Sequence, residues 1–156
     1  MPVVATVTEY EQERGKPMPS KNHGLVQLYL GIAFAKHDDR FTVIPELSLE
    51  LGGRPFVPDL SVYPKLPIDW RHDEIRMTDP PLTVVEILSP TQGMEELISK
   101  ADAYFEAGVK SCWIVQPMLE AIAVLVPGKS KTELHSSGEI TDPATGITVK
   151  VDEIFR

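Results

Sequence analysis

The stretch 82–88, Leu-Thr-Val-Val-Glu-Ile-Leu, limits the fold more than any other part of this chain. As a strand it places Val84 and Leu88 on one side and Val85 and Ile87 on the other. Apolar residues on both sides belong to strands covered above and below. Glu86 sits in the middle of this run. An ionised carboxylate there is costly unless a cation or several donors meet it. The first functional question is therefore what Glu86 holds.

The residues that follow extend the layered reading. Ser89-Pro90-Thr91 breaks the strand, and a helix is expected over 94–107 with Leu97, Ala101, Tyr104 and Gly108 as its packing stripe. Gly108 ends it. Residues 111–116 read as a second buried strand, parallel to the first through a right-handed crossover. Upstream, 9–14 is a short helical piece capped by Thr8 and ended by Gly15, after a lead-in over 1–7. Residues 16–20 form a connector. A longer amphipathic helix is expected over 21–36, with Leu25, Leu28, Ile32 and Ala35 as its stripe, widened by Val26, Tyr29 and Ala33. A strand over 41–51, a Gly52-Gly53 turn and a returning strand over 56–63 complete a hairpin. The polar, proline-bearing stretch 64–81 is long for a connection and reads as a flap. Further strands are expected over 121–126, 131–135 and 147–151. The sum is an α/β domain, one mixed sheet with helices against it, spanning 1–156 as a single unit.

Composition excludes several classes. The net charge of −8 argues against a protein that coats nucleic acid through a basic surface. It leaves room for a metal-dependent nuclease, whose site is acidic before the ion arrives. No apolar run approaches the roughly 20 residues of a membrane helix, and the first residues show no basic-then-apolar leader. The single cysteine, Cys112, fits a reducing compartment and core packing. The expected location is cytoplasmic, away from membranes. There is no Gly-rich phosphate loop, no Gly-x-Ser-x-Gly elbow, and no metal-ligand spacing among His23, His37, His72 and His135. His23 lies near Arg14, Lys16 and Lys21 and is a candidate for a phosphate-contacting patch.

Four residues carry the chemistry. Asp59 follows Pro58 on the returning strand, Glu86 lies mid-strand, Lys100 lies on the crossover helix, and Glu11 lies in the first helical piece. Two acids on neighbouring strands suffice for Mg²⁺, which takes oxygen ligands and keeps several waters. A lysine beside them would position water or stabilise phosphoryl charge. Each also has a purely structural reading. Asp59 could be a strand-end residue, Glu86 could pair with an arginine, and Lys100 and Glu11 could be solvated helix residues.

Taken in order, Pro58-Asp59, Val85-Glu86-Ile87-Leu88-Ser89-Pro90, Lys100-x-x-x-Tyr104 and Gly108-Val109-x-x-x-Trp113-Ile114-Val115 resemble the Uma family of proposed endonucleases. That family lies within the PD-(D/E)XK superfamily. The resemblance covers most of the chain, and Tyr10-Glu11, Gly15 and His23 fit it too. It implies a restriction endonuclease-like fold, a mixed central sheet flanked by helices. It implies a metal-dependent DNA endonuclease using Mg²⁺, or Mn²⁺ in its place, with a homodimer compatible with cutting two strands. Asp59 and Glu86 would be metal ligands, with the carbonyl of Ile87 a third. The superfamily's usual lysine position is occupied here by Leu88, so Lys100 would take that role. Glu11 would match the family's N-terminal acid. Gln116 stands where an aspartate is common. The alternative is a catalytically inactive nucleic-acid- or protein-binding module of the same fold.

Overall fold

The structure, a computed structural model, describes residues 9–156 apart from the side chains of Tyr10, Glu11 and Glu13. The expected lead-in, the Thr8 cap and the Glu11 side chain lie outside the described residues. In chain order the elements are α1 (Glu9–Arg14), α2 (Lys21–Ala35), β1 (Phe41–Pro45), β2 (Leu49–Leu51), β3 (Arg54–Phe56), β4 (Leu60–Pro64) and β5 (Thr83–Ile87). They continue with α3 (Met94–Glu106), β6 (Ser111–Gln116), β7 (Ala121–Leu125), β8 (Leu134–His135), β9 (Glu139–Thr141), β10 (Thr148–Lys150) and α4 (Val151–Ile154).

The central sheet runs β1-β4-β5-β6-β7-β8. Only β5 and β6 are parallel; the other neighbours are antiparallel. The chain passes from β5 to β6 through α3, because parallel neighbours need a crossover. Alternation then divides the core. Val85, Ile87, Trp113 and Val115 face α2 and α4, while Val84, Cys112 and Ile114 face α3. Phe34 of α2 meets Trp113 edge-on at 5.1 Å, a geometry aromatic rings favour.

Three expectations are corrected. The apolar stripe proposed for α2 is only partly its buried face: Leu25, Leu28, Ile32 and Ala35 are exposed, Val26 and Ala33 at its edge are buried, and His23, Leu30 and Phe34 complete the buried side. This helix is apolar nearly all round, so the sheet rather than the periodicity selects the face. The strand expected over 41–51 is two strands in different sheets, separated at Glu46, whose φ of 50° turns the chain. The returning strand is likewise split at Val57-Pro58-Asp59 into β3 and β4. The Gly52-Gly53 turn stands, with φ of 58° and 76°, the left-handed pair that suits a two-residue hairpin. At the C-terminal end, β9 and α4 add to the expected strands, and 147–151 divides between β10 and α4.

A buried carboxylate pins the C-terminal hairpin to the sheet. Asp142 accepts hydrogen bonds from Thr83 Oγ1 and Thr145 Oγ1, both at 2.6 Å, from Trp113 Nε1 at 3.3 Å, and from Ser111 Oγ. Removing it leaves several buried donors unpaired. Asp142→Ala is therefore expected to cost about 3 kcal/mol in urea unfolding. A loss under about 1 kcal/mol would show that the hairpin is held by its apolar contacts alone.

Candidate active site

The site is assembled from four separate parts of the chain. Gly15, at φ 68°, ends α1 and turns the chain. The side chains on either side of it, Arg14 and Lys16, are both buried. Ser20 caps α2 by accepting from the His23 backbone N–H at 3.2 Å, and His23 is itself buried in the first turn. Asp59 lies in the break before β4. Its backbone N–H donates to Val85 O at 3.0 Å, and its carbonyl accepts from Glu46 N and Gln27 Nε2, each at 3.2 Å. The pairing of β4 with β5 runs to Leu60↔Val85, and Asp59, one residue before it, stays on β5 through its N–H to Val85 O and its Oδ2, which accepts from Ile87 N. The two carboxylates meet there, because Lys16 Nζ reaches both.

Their partners are close and largely dry. Lys16 Nζ lies 2.6 Å from Asp59 Oδ1 and 3.5 Å from Glu86 Oε2, so one ammonium serves both carboxylates. Arg14 reaches Asp59 Oδ1 at 3.2 Å while its guanidinium clasps Glu46 at 2.6 and 3.0 Å. His23 Nε2 stands 3.0 Å from the same Oδ1, off the line of a well-formed hydrogen bond. Asp59 Oδ2 accepts from the Ile87 backbone N–H at 2.7 Å. Glu86 Oε1 accepts from Tyr104 Oη at 2.7 Å, and Lys100 Nζ lies 3.9 Å from it. Glu86 Oε2 is buried and accepts no hydrogen bond from the described residues.

The two acids consequently titrate in opposite directions. Burial alone would raise Asp59. The contact with His23 and the charges of Lys16 and His23 outweigh it and hold the carboxyl at about 2. Burial dominates at Glu86 and raises its pKa; the Asp59 charge adds to the rise, and Lys16, Lys100 and Tyr104 offset only part of it. Tyr104 is pushed up by burial and by the Glu86 carboxylate, so it remains a donor at neutral pH.

The structure thus brings together Asp59, Glu86 and, beside Glu86, Lys100. The amine between the two acids is Lys16, which the sequence reading did not single out. Arg14 was missed in the same way. His23, read as a surface phosphate contact, is buried against Asp59. The available signal was electrostatic: two buried acids require cations, and Arg14, Lys16 and His23 cluster just ahead of α2. Arg71, His72 and Arg76, on the proposed flap, are exposed, and Met77 ties that loop to Leu49 through a single bridge.

Among the described residues no three His, Cys, Asp or Glu side chains are grouped to hold a metal ion. The pair Asp59 and Glu86 fits a hard, water-retaining cation nonetheless. Their oxygens already converge on one positive charge, and Glu86 Oε2 is an open acceptor. Beside the cluster is an opening of about 270 Å³ that includes Arg14, Gly15, Arg54, Ser99 and Lys100, with three cations and no acid among the described residues of its wall. A larger cleft of about 550 Å³ lies past the C-terminal ends of β5 and β6, between Ser89, Gln116 and the start of α2, and neither acid lines it.

A mixed sheet flanked by helices, its parallel pair β5 and β6 joined through α3, is the architecture of a restriction endonuclease-like domain. The family model described as "Putative restriction endonuclease", Uma2, matches residues 10–150, and the chain belongs to that family. Its fold is similar to the crystal structure of a putative nuclease belonging to DUF820 from Anabaena variabilis ATCC 29413. The TM-score is 0.77 at 21% identity, over 89% of this chain and 83% of that one. No curated protein matches the sequence. Among the described residues no helix is long and apolar enough to cross a membrane.

Proposed function

We propose that this protein is a Mg²⁺-dependent endonuclease that hydrolyses phosphodiester bonds in DNA. The observation that carries the reading is the pair Asp59 and Glu86, buried, brought together just before β4 and on β5, and converging on one cation beside an opening lined by Arg14, Arg54 and Lys100. Asp59 and Glu86 would hold the ion, with the Ile87 carbonyl as a third ligand and Mn²⁺ as an alternative metal. Such an ion supplies polarisation of a phosphoryl oxygen and a more acidic bound water. Lys100, half in the opening and 3.9 Å from Glu86, would orient the attacking water and offset charge that develops on the phosphoryl oxygens. Arg54 and Arg14 give the strand's phosphates a positive wall in a chain of net charge −8. Tyr104 fixes the Glu86 carboxylate by hydrogen bonding to Oε1 and leaves Oε2 for the ion. Glu11 enters this reading through the family resemblance, as an assisting acid, and the loop bearing Arg71, His72 and Arg76 enters as a substrate flap. A homodimer in the cytoplasm would present two sites to one duplex.

Leu88, standing at the superfamily's usual lysine position, favours a second reading: a module that binds nucleic acid or protein without cleaving it. Incubation with supercoiled plasmid separates the two. The endonuclease relaxes or linearises it with Mg²⁺ or Mn²⁺ and not with chelator. A wild-type protein that binds the metal and leaves plasmid intact is the binding module.

A further inference from the structure

Among the described residues Asp59 Oδ1 is the most crowded side-chain acceptor. It faces Lys16 at 2.6 Å, His23 at 3.0 Å and Arg14 at 3.2 Å. Two of these three are fixed from elsewhere. Arg14 is clasped by Glu46 and also donates to Pro17 O at 2.6 Å, and His23 is part of α2. Lys16 is different. Its ammonium donates one hydrogen bond among the described residues, to Asp59, and otherwise faces the unbonded Glu86 Oε2. Its flexible stem follows Gly15, which lines the basic opening.

A divalent ion bonded to both carboxylates would sit about 2.0–2.1 Å from each oxygen. The Lys16 ammonium already lies between those oxygens, and two cations cannot share the space. We propose that Lys16 is a built-in counter-cation. Its ammonium takes the place between Asp59 and Glu86 and must swing out, past Gly15 into the opening beside Arg54 and Lys100, for a divalent ion to enter. This rests on the metal-binding part of the reading above. Metal entry then adds an ammonium to the wall that faces the phosphates. Metal and polyanion therefore reinforce one another's binding, and the free protein holds metal weakly.

Two measurements test this without reference to cleavage. The first is Mn²⁺ binding, followed by the paramagnetic resonance signal of the free ion, for wild type and Lys16→Met. The variant is expected to bind at least about tenfold more tightly, because a competing like charge is gone. The second uses wild type alone, so it stands even if the variant does not fold. Lysines are reductively methylated with and without saturating Mn²⁺, and the sites are mapped by mass spectrometry. Lys16, buried beside the two acids, is expected to label only when Mn²⁺ is present. Equal or weaker binding by Lys16→Met, or Lys16 still protected at saturating Mn²⁺, overturns the proposal while the nuclease reading stands. If neither protein binds Mn²⁺, both fall together. Binding by Lys16→Met alone would mean that the ammonium bars the ion and does not yield to it, which overturns displacement and metal use by wild type together.

Discussion

Asp59→Asn is expected to lower metal-dependent cleavage at least about a thousandfold and to destabilise the fold by about 4 kcal/mol. The side chain keeps its shape, so the loss is one of charge. Lys16, Arg14 and His23 all converge on Asp59 Oδ1. With a neutral amide there, buried cations lose the charge they were folded around, which is the expensive way to break a buried ion pair. The pH dependence has a definite sign. The folded pKa, about 2, lies below the ordinary value of 3.8. The stability this carboxylate contributes is therefore present above pH 3.8 and is lost as pH falls through 2. It amounts to about 2 kcal/mol. Urea unfolding of the two proteins at neutral pH and near pH 2 checks this: the gap should narrow in acid. Equal stability at neutral pH would mean that the cations do not depend on Asp59.

Glu86→Gln is expected to behave in the opposite way in stability and in the same way in activity. Cleavage should fall by a comparable factor, since a neutral amide is a poor ligand for a hard cation. Stability at pH 7 should rise, within the range of about 0.5–2 kcal/mol that single stabilising substitutions commonly give. The folded pKa of Glu86 is raised above 4.5, with burial the leading cause. A raised carboxyl contributes stability that is fully present below pH 4.5 and is lost as pH rises through its folded value. Glutamine resembles the protonated form at every pH. The variant's advantage should therefore appear above pH 4.5 and vanish below it, as read from melting temperatures across that range. A Glu86 that served only as a structural ion-pair partner would give a variant less stable than wild type at pH 7.

The β5–α3–β6 unit was legible in the sequence because its signals are local. An apolar run, a loop, a stripe at helical spacing and a closing glycine each specify their own neighbourhood, and Leu97, Ala101 and Tyr104 are buried as that stripe requires. The face of α2 was not legible. Leu25, Leu28 and Ile32 make as good a stripe as Val26, Leu30 and Phe34, and only the sheet distinguishes them. The breaks at Glu46 and Asp59 were hidden by alternation that runs through both. What fixes them is long-range: Arg14 gripping Glu46, and the Asp59 backbone tied to β5, α2 and the Glu46 turn. Glu86 could be read because a carboxylate in an apolar strand is conspicuous, whereas Asp59 was marked by its place after Pro58 and by the family resemblance. Lys16 could not, because a lysine in a proline-bearing connector looks solvated until the fold delivers it between Asp59 and Glu86.

The most direct test is a crystal soaked in Mn²⁺ and measured at a wavelength where manganese scatters anomalously. One anomalous peak bonded to the carboxylates of both Asp59 and Glu86, with the Lys16 ammonium moved away from them, is the predicted result. Saturating Mn²⁺ that leaves Lys16 between the two acids, with no peak there, would contradict it.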